Sequence, residues 1–536
     1  MSVEILKKAH HKPQSNSYLN YETITALKKK LVYTVVPLFI FCLWWVASNQ
    51  LWMPSQILPT PQQTWASFID LIKYQNLIQH IQVSAERLAI GVILGILGGV
   101  LFGACLGLSQ RFETYSSMSF YAIAIIPTLA WLPLLMMWLG IEEALKYFLI
   151  FKAVFIPIAI HVQTGLKEIH VKLREVTNVL TLSKWQILKI LILPAVLPYF
   201  FTGLRIALAS GWTTLVAVEL IASSEGIGYL MVTGRQLFQL DIVFVMIFII
   251  ASVGIFIDYF VSQLEKKIIF WPHAALSIQP EVKQNNTFWQ PCLFPLLILI
   301  IWCLIGMKGW VSPELLPTPR QVLNSFFESI QRGDLVQAAL GSLSRAMQGL
   351  LLGGLLGTAL GIAVGTSIYI QRLFAPTLNT LRLIAIFAWI PLLTAWFGLG
   401  DFSKTIFIAL ATFFPMFVAS WQGVKGLSKQ LHEVSMVLNL SFLDHVFKFI
   451  LPSITPSLFS GLRLALLYAW MASFGAEYLM GSGVGLGTYL MSAQQSFEME
   501  RVISATILVA MLGLILAYIG QFFENKATVW RRSRGE

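Results

Sequence analysis

The chain has 536 residues; 57% are hydrophobic, only 12% are charged, and the mean hydropathy is +0.72. A soluble globule carries about 25% charged residues, so the composition excludes an ordinary soluble protein and places the chain in a bilayer. The net charge of +11 then reads as the positive-inside bias of membrane proteins and excludes nucleic acid as the natural partner.

The charge distribution gives an orientation. Lys7, Lys8, Lys12 and Lys28-Lys29-Lys30 precede the first apolar run. A second basic group is Lys167, Lys172, Arg174, Lys184 and Lys189, and a third is Lys266-Lys267. Arg531, Arg532 and Arg534 close the sequence. One topology puts all of them on the cytoplasmic side, with both termini cytoplasmic and lipid as the surrounding partner. Cys42, Cys105, Cys292 and Cys303 sit in or beside apolar runs without metal-ligand spacing, so neither a metal site nor a disulfide framework is expected. The first thirty residues are polar, which argues against a cleavable signal peptide.

An apolar run of about 20 residues crosses the hydrocarbon as a helix. Six such runs occupy roughly 33–52, 86–108, 118–139, 144–164, 201–222 and 241–263. Leu58-Pro59-Thr60-Pro61 follows the first run and predicts a short surface helix. The second run carries Gly91, Gly95, Gly99, Gly103 and Gly107. Spacing of four puts these glycines on one helix face, which suits tight helix packing or a surface that slides during transport. The third run contains Trp131, Pro133 and Trp138. An internal proline frees a carbonyl and invites a kink; the tryptophans suit either a path lining or an interface belt. A charged stretch from Gly165 to Pro194, with helical apolar spacing and a terminal proline, fits a short helix pair on the cytoplasmic surface. Arg205 opens the fifth run and suits lipid phosphate or the preceding loop as partner. Glu219 ends that run; such a residue serves either gating or hydrogen bonding to the glycine-rich turn after it.

Residues 271–290 are polar and proline-containing and read as a cytoplasmic linker. The pattern then repeats. Runs at roughly 291–310, 344–366, 377–398, 402–422, 459–480 and 501–523 follow in the same order. Displaced by 258 residues, Leu316-Pro317-Thr318-Pro319 meets the first turn motif and Arg345 meets Arg87. Trp389, Pro391 and Trp396 meet the third-run trio, Gly461-Leu462-Arg463 meets Gly203-Leu204-Arg205, and Glu477 meets Glu219. The glycine ladder returns as Gly349, Gly353, Gly357, Gly361 and Gly365. A repeat of this length is a duplicated domain. Residues 1–270 and 291–536 are therefore two like membrane domains, and an even number of spans in each makes the duplication parallel. The expected fold is an all-α membrane protein with about 12 transmembrane helices in two parallel six-helix repeats. Trp212-Thr213-Thr214 meets Trp470-Met471-Ala472, so a shared path has one polar side, and Thr213 and Thr214 are candidates to touch cargo.

The loop between the fourth and fifth runs carries a specific pattern. Glu175 precedes Ile192-Leu193-Pro194 at the same separation as Glu433 precedes Ile450-Leu451-Pro452. This resembles the Glu-Ala-Ala loop of ABC importer permeases. With Leu-Pro-Thr-Pro, Trp-x-Pro-Leu-Leu and Gly-Leu-Arg, the chain is similar to the nitrate, sulfonate, taurine and bicarbonate branch of that family over nearly all of both halves. It departs where Ala-Ala becomes Val176-Thr177 and Val434-Ser435, and where the family glycine becomes Thr181 and Asn439. Asn tolerates the left-handed turn that glycine supplies, and Thr does so poorly.

The resemblance implies a type I ABC importer transmembrane domain in a bacterial inner membrane, a small anion as cargo, and a substrate-binding protein that delivers it. It also implies two ATPase subunits docked on the loops at Glu175, Thr181, Leu193, Pro194, Glu433, Asn439, Leu451 and Pro452. ATP and Mg belong to those subunits. No Gly-Lys pair exists in this chain, so no phosphate-cradling P-loop is possible and the chain is not expected to be an enzyme. Path candidates are Trp131, Pro133, Trp138, Thr213, Thr214, Glu219, Trp389, Pro391, Trp396 and Glu477. A twelve-span transporter driven by an ion gradient is the alternative; it would need mid-membrane carboxylates and no coupling loops. An intramembrane enzyme would need a catalytic cluster, which the sequence does not show.

Overall fold

The computed structural model describes residues 16–169, 177, 179–271, 289–427, 433, 437 and 441–529, with side chains from residue 32 onward. The first-half helices are α1 (Asn16–Asn49), α2 (Pro61–Tyr74), α3 (Leu77–Leu108), α4 (Gln110–Ile125), α5 (Leu132–Leu139), α6 (Glu143–Lys167), α7 (Lys184–Ile221), α8 (Ile227–Gln236) and α9 (Leu240–Ile268). The second-half helices follow in the same order. They are α10 (Leu293–Lys308), α11 (Pro319–Arg332), α12 (Asp334–Thr366), α13 (Ile368–Leu381), α14 (Ile390–Phe397), α15 (Asp401–Lys425), α16 (His445–Met480), α17 (Leu486–Gln495) and α18 (Met499–Ala527). Among the described residues, nine helices are long and apolar enough to cross a membrane, and eleven spans result if each of two bent pairs counts as one. α10, with 16 residues, holds the twelfth position; at 1.5 Å per residue it is about 24 Å long, short of the roughly 30 Å hydrocarbon core.

The duplicated Leu-Pro-Thr-Pro motif is a helix start. Thr60 and Thr318 cap α2 and α11 by accepting from the amides of Gln63 and Gln321. Each glutamine side chain returns to its cap amide at 2.9 Å and 2.8 Å. The following prolines occupy the first helical position, where a missing N–H costs nothing. The carbonyls of Pro59 and Pro317 accept from the indoles of Trp44 and Trp302, both at 2.9 Å, which ties each first span to its surface helix.

The glycine ladders set the tightest contact in each half. α3 runs along α6, and α12 along α15. A Cβ on Gly91 would sit 2.5 Å from Ile150 Cγ2, one on Gly99 2.8 Å from Ile158 Cβ, and one on Gly103 2.5 Å from the Ala159 carbonyl. Gly95 and Gly107 face Val154 and Leu166 as closely. In the second half Gly349, Gly353, Gly357, Gly361 and Gly365 press on Ile408, Ala409, Phe413, Phe417 and Val424. Both ladders thus pack within their own half.

Two expectations are corrected. The third span of each half is not one kinked helix. α4 and the segment Thr128–Leu139 meet at 94°, and α13 and Ile386–Phe397 meet at 93°. Pro133 and Pro391 do not make the bend; they lie in the first turn of α5 and α14, and the breaks fall at Ile126–Pro127 and Leu383–Ala385. Second, the loop helix before Leu-Pro is not a separate surface helix. It continues into the fifth span as one 38-residue helix in the first half and one of 36 in the second. The join is a π turn, Leu188–Ile192 and His445–Ile450. Pro194 and Pro452 have no N–H and crowd the carbonyl four residues back, so the Leu193 and Leu451 amides reach one residue further, to Leu188 and Val446. Arg205 and Arg463 find partners on a neighbouring span. Arg205 donates to Glu265 at 2.7 Å and Arg463 to Glu524 at 3.2 Å, each on the last span of its half. Residues 272–288, most of the expected linker, lie outside the described residues.

Candidate functional site

The breaks in the third spans lie between the halves. Each break is followed by a 3-10 turn, Thr128–Trp131 and Ile386–Trp389. The first-half turn packs on α16 and α18, and α5 on α17 and α18. The second-half turn packs reciprocally on α7 and α9, and α14 on α8 and α9. Leu129 and Phe387, equivalent across the repeat, converge on Gly475: a Cβ there would lie 3.3 Å from Leu129 Cδ1 and 2.6 Å from Phe387 Cε1. The third-span tryptophans complete a clasp. Trp138 Nε1 donates to the Leu315 carbonyl at 2.7 Å, and Trp396 Nε1 donates to the Ile57 carbonyl at 3.1 Å. Each half thus grips the turn before the short second helix of the other. Thr214 is buried on α7 and Thr213 half-buried beside it.

The carboxylates of the fifth spans are held inside their own halves. Glu219 is 1% exposed and Glu477 is 0%. Ser84 Oγ donates to Glu219 at 2.8 Å, Arg87 Nη1 at 2.9 Å and the Gly228 amide at 3.0 Å. Around Glu477, Ser342 donates at 2.7 Å, Arg345 Nη2 at 2.6 Å and the Gly487 amide at 3.0 Å. Each arginine also reaches the acid that opens the fourth span. Arg87 makes a two-pronged bond to Glu143 at 2.6 and 2.7 Å, and Arg345 reaches Asp401 at 3.1 Å. Lys146 and Lys404 stand one turn on and bond to those acids. Arg87 and Arg345 further donate to the carbonyls of Glu225 and Val484, at 2.7 and 2.6 Å. Gly226, at φ 114°, and Gly485 let the turn approach the carboxylate, because a Cβ at either would strike it. Every oxygen of these buried acids therefore has a donor, as a buried charge requires. Sequence reasoning named the two glutamates and missed Ser84, Glu143, Lys146, Ser342, Asp401 and Lys404. The available signal was their recurrence at 258 residues' spacing, with Glu replaced by Asp.

At the loop end, Thr181 stands at φ 47°, the left-handed conformation that the family glycine would supply, and the Leu182 amide closes the turn on the Thr177 carbonyl at 3.2 Å. Val179, Leu180, Trp185, Ile190 and Leu193 are exposed around it. In the second half Glu433, Val437, Leu443, Phe447 and Pro452 are exposed, and Leu451 is half-buried, as is Pro194 in the first. Glu175 and Asn439 lie outside the described residues.

Comparison with known proteins fits this architecture. Residues 91–270 and again 350–529 match the family described as "Binding-protein-dependent transport system inner membrane component". The putative aliphatic sulfonates transport permease protein SsuC of Bacillus subtilis is 36% identical over 237 residues, 86% of that protein and 44% of this chain. The taurine transport system permease protein TauC of Escherichia coli is 33% identical over 239 residues, covering 86% of it and 43% of this chain. The nitrate import permease protein NrtB of Synechocystis is 30% identical over 186 residues, covering 68% of it and 35% of this chain. Each aligns over less than half of this chain, as a single domain aligns with one half. The chain is a multi-pass ABC importer permease and belongs to the binding-protein-dependent transport inner membrane component family, with the family's domain present twice.

Proposed function

We propose that this chain forms the complete translocation path of an ATP-driven importer of a small oxyanion, with the two loops as docking points for two ATPase subunits and both termini cytoplasmic. The observation that carries the coupling is duplicated. At both loops, exposed apolar side chains flank a π turn that leads without interruption into the fifth span. Force on such a loop moves a span that ends at the buried glutamate of its own half. The break turns with Leu129 and Phe387, together with Trp131, Trp389, Thr213 and Thr214, line the closed path, and Pro133, Pro391, Trp138 and Trp396 fix its geometry. Glu219 and Glu477 clamp the outer turns through Arg87 and Arg345. The names of the sulfonate, taurine and nitrate relatives support an oxyanion cargo. The binding protein supplies selectivity on the outer side; ATP and Mg reside on the ATPases.

The test is ATP hydrolysis by the chain reconstituted with an ATPase partner and loaded binding protein. Glu175→Ala with Glu433→Ala should abolish the stimulation by binding protein. Full stimulation in that double variant would remove the loops from the coupling role.

A further inference from the structure

Lys152 is a buried cation of the first half with no charged counterpart in the second. It stands on α6, nine residues after Glu143 and fifteen before Lys167. At 1.5 Å per residue that is about 14 Å from the end held by Arg87, near mid-membrane. The side chain is buried, 6% exposed. Its ammonium donates to the Ile126 carbonyl at 3.1 Å and lies 5.6 Å from the centre of the Trp131 ring. Both contacts are with the broken third span. An ammonium has three donor hydrogens, and among the described residues no carboxylate pairs with this one. The Trp131 indole N–H is also buried and lacks a partner among the described residues.

A simple structural role would be to cap the carbonyl that the break sets free. The repeat itself argues against that as the whole reason. The equivalent residue of the second half is Leu410, and the second half makes the same break, at 93° against 94°, without a lysine. Capping is therefore not what the break needs. A buried charge without a counter-ion is costly in hydrocarbon and marks function. The positive charge sits beside the turn that carries Leu129 to the midline, next to a second unused donor.

We infer that Lys152, with Trp131 Nε1, forms a one-sided oxyanion-binding site at the first-half break. A carboxylate-free cation and a neutral N–H suit a small anion with two or more acceptor oxygens, of the sulfonate or nitrate class. The passing anion is the counter-ion that the lysine lacks. The second half has Leu410 at the equivalent place, so this cation is not repeated there, and cargo is released when the break opens. This rests on the oxyanion reading proposed above and assigns the residue that meets the charge.

The experiment uses the full transporter in proteoliposomes, with ATPase and binding protein, and follows uptake of a radiolabelled alkanesulfonate and, separately, of nitrate. Lys152→Gln keeps a donor for the Ile126 carbonyl but removes the charge, Lys152→Arg keeps the charge, and Lys152→Leu copies the second half. The maximal uptake rate is expected to fall at least about tenfold in Gln and Leu and to stay within about threefold of wild type in Arg, with the half-saturating concentration of loaded binding protein unchanged. Wild-type uptake in Lys152→Gln would overturn the inference, leaving the lysine as a carbonyl cap, and this arm decides even if the Leu variant does not assemble. Absence of ATP-dependent uptake of either anion by the wild-type transporter would overturn both this inference and the function on which it rests.

Discussion

The most constrained atoms in the molecule are the oxygens of two glutamates. Glu477 accepts from Ser342, Arg345, Ser473 and the Gly487 amide. Removing one partner of such a buried pair leaves an uncompensated charge and costs about 3–5 kcal/mol, whereas replacing both with apolar groups costs far less. Arg345→Met and Glu477→Leu should each lower the unfolding temperature of the purified permease sharply, and the double variant should be more stable than the sum of the two predicts. A double-mutant cycle by thermal unfolding in detergent checks this. Additivity would mean the two do not act as a unit. Asp401 is largely exposed, so Asp401→Asn should cost less, on the scale of a surface pair, about 0–1 kcal/mol. Arg87, Glu219 and their repeats were legible in the sequence as duplicated charges in apolar surroundings. Their partnership was not, because 132 residues separate Arg345 from Glu477 and a serine has no signature of its own.

Individual helices show what hydropathy reads and what it misses. The ladder glycines announced a packed face by their spacing. Neighbouring glycines on α12 test that reading directly. A Cβ at Gly353 would collide with the Ala409 carbonyl, while one at Gly354 finds its nearest neighbour, Met416 Cγ, at 3.9 Å. Gly353→Ala should therefore destabilise by about 1–3 kcal/mol. Gly354→Ala should be neutral or stabilise by about 0.5–1 kcal/mol, since alanine is the better helix former. Thermal unfolding of the two variants side by side decides the point, and equal effects would contradict the packing. The place of the bend in the third span was misread because Ile126-Pro127-Thr128-Leu129-Ala130-Trp131 is largely apolar on both sides of the break, so a hydropathy window passes straight through. The visible proline, Pro133, drew attention to the wrong place: proline in a first turn is a start signal. The turn at Thr181 makes a further prediction. A β-branched residue at positive φ is strained by about 1–3 kcal/mol, so Thr181→Gly should tighten the loop and slow hydrogen exchange at Leu182. Unchanged or faster exchange would show that the threonine is not strained there.

At the scale of the whole molecule, duplication was the easiest property to read and the interface between copies the hardest. Offset matches point to two like domains, but they do not say which helices face each other. The structure answers with the broken spans. Each copy's 3-10 turn and short helix rest on the other copy's last span, and each third-span tryptophan holds the turn before the other's short second helix. Fusion fixes one of each half in every molecule, so the halves are free to differ where they meet, as Lys152 and Leu410 do. ATP-dependent accumulation of a small oxyanion in proteoliposomes holding this chain, its ATPase and its binding protein tests the account most directly. It predicts uptake that requires hydrolysable ATP and loaded binding protein and is lost in Glu175→Ala with Glu433→Ala. Uptake by the chain alone, driven by an ion gradient and indifferent to ATP, would contradict it.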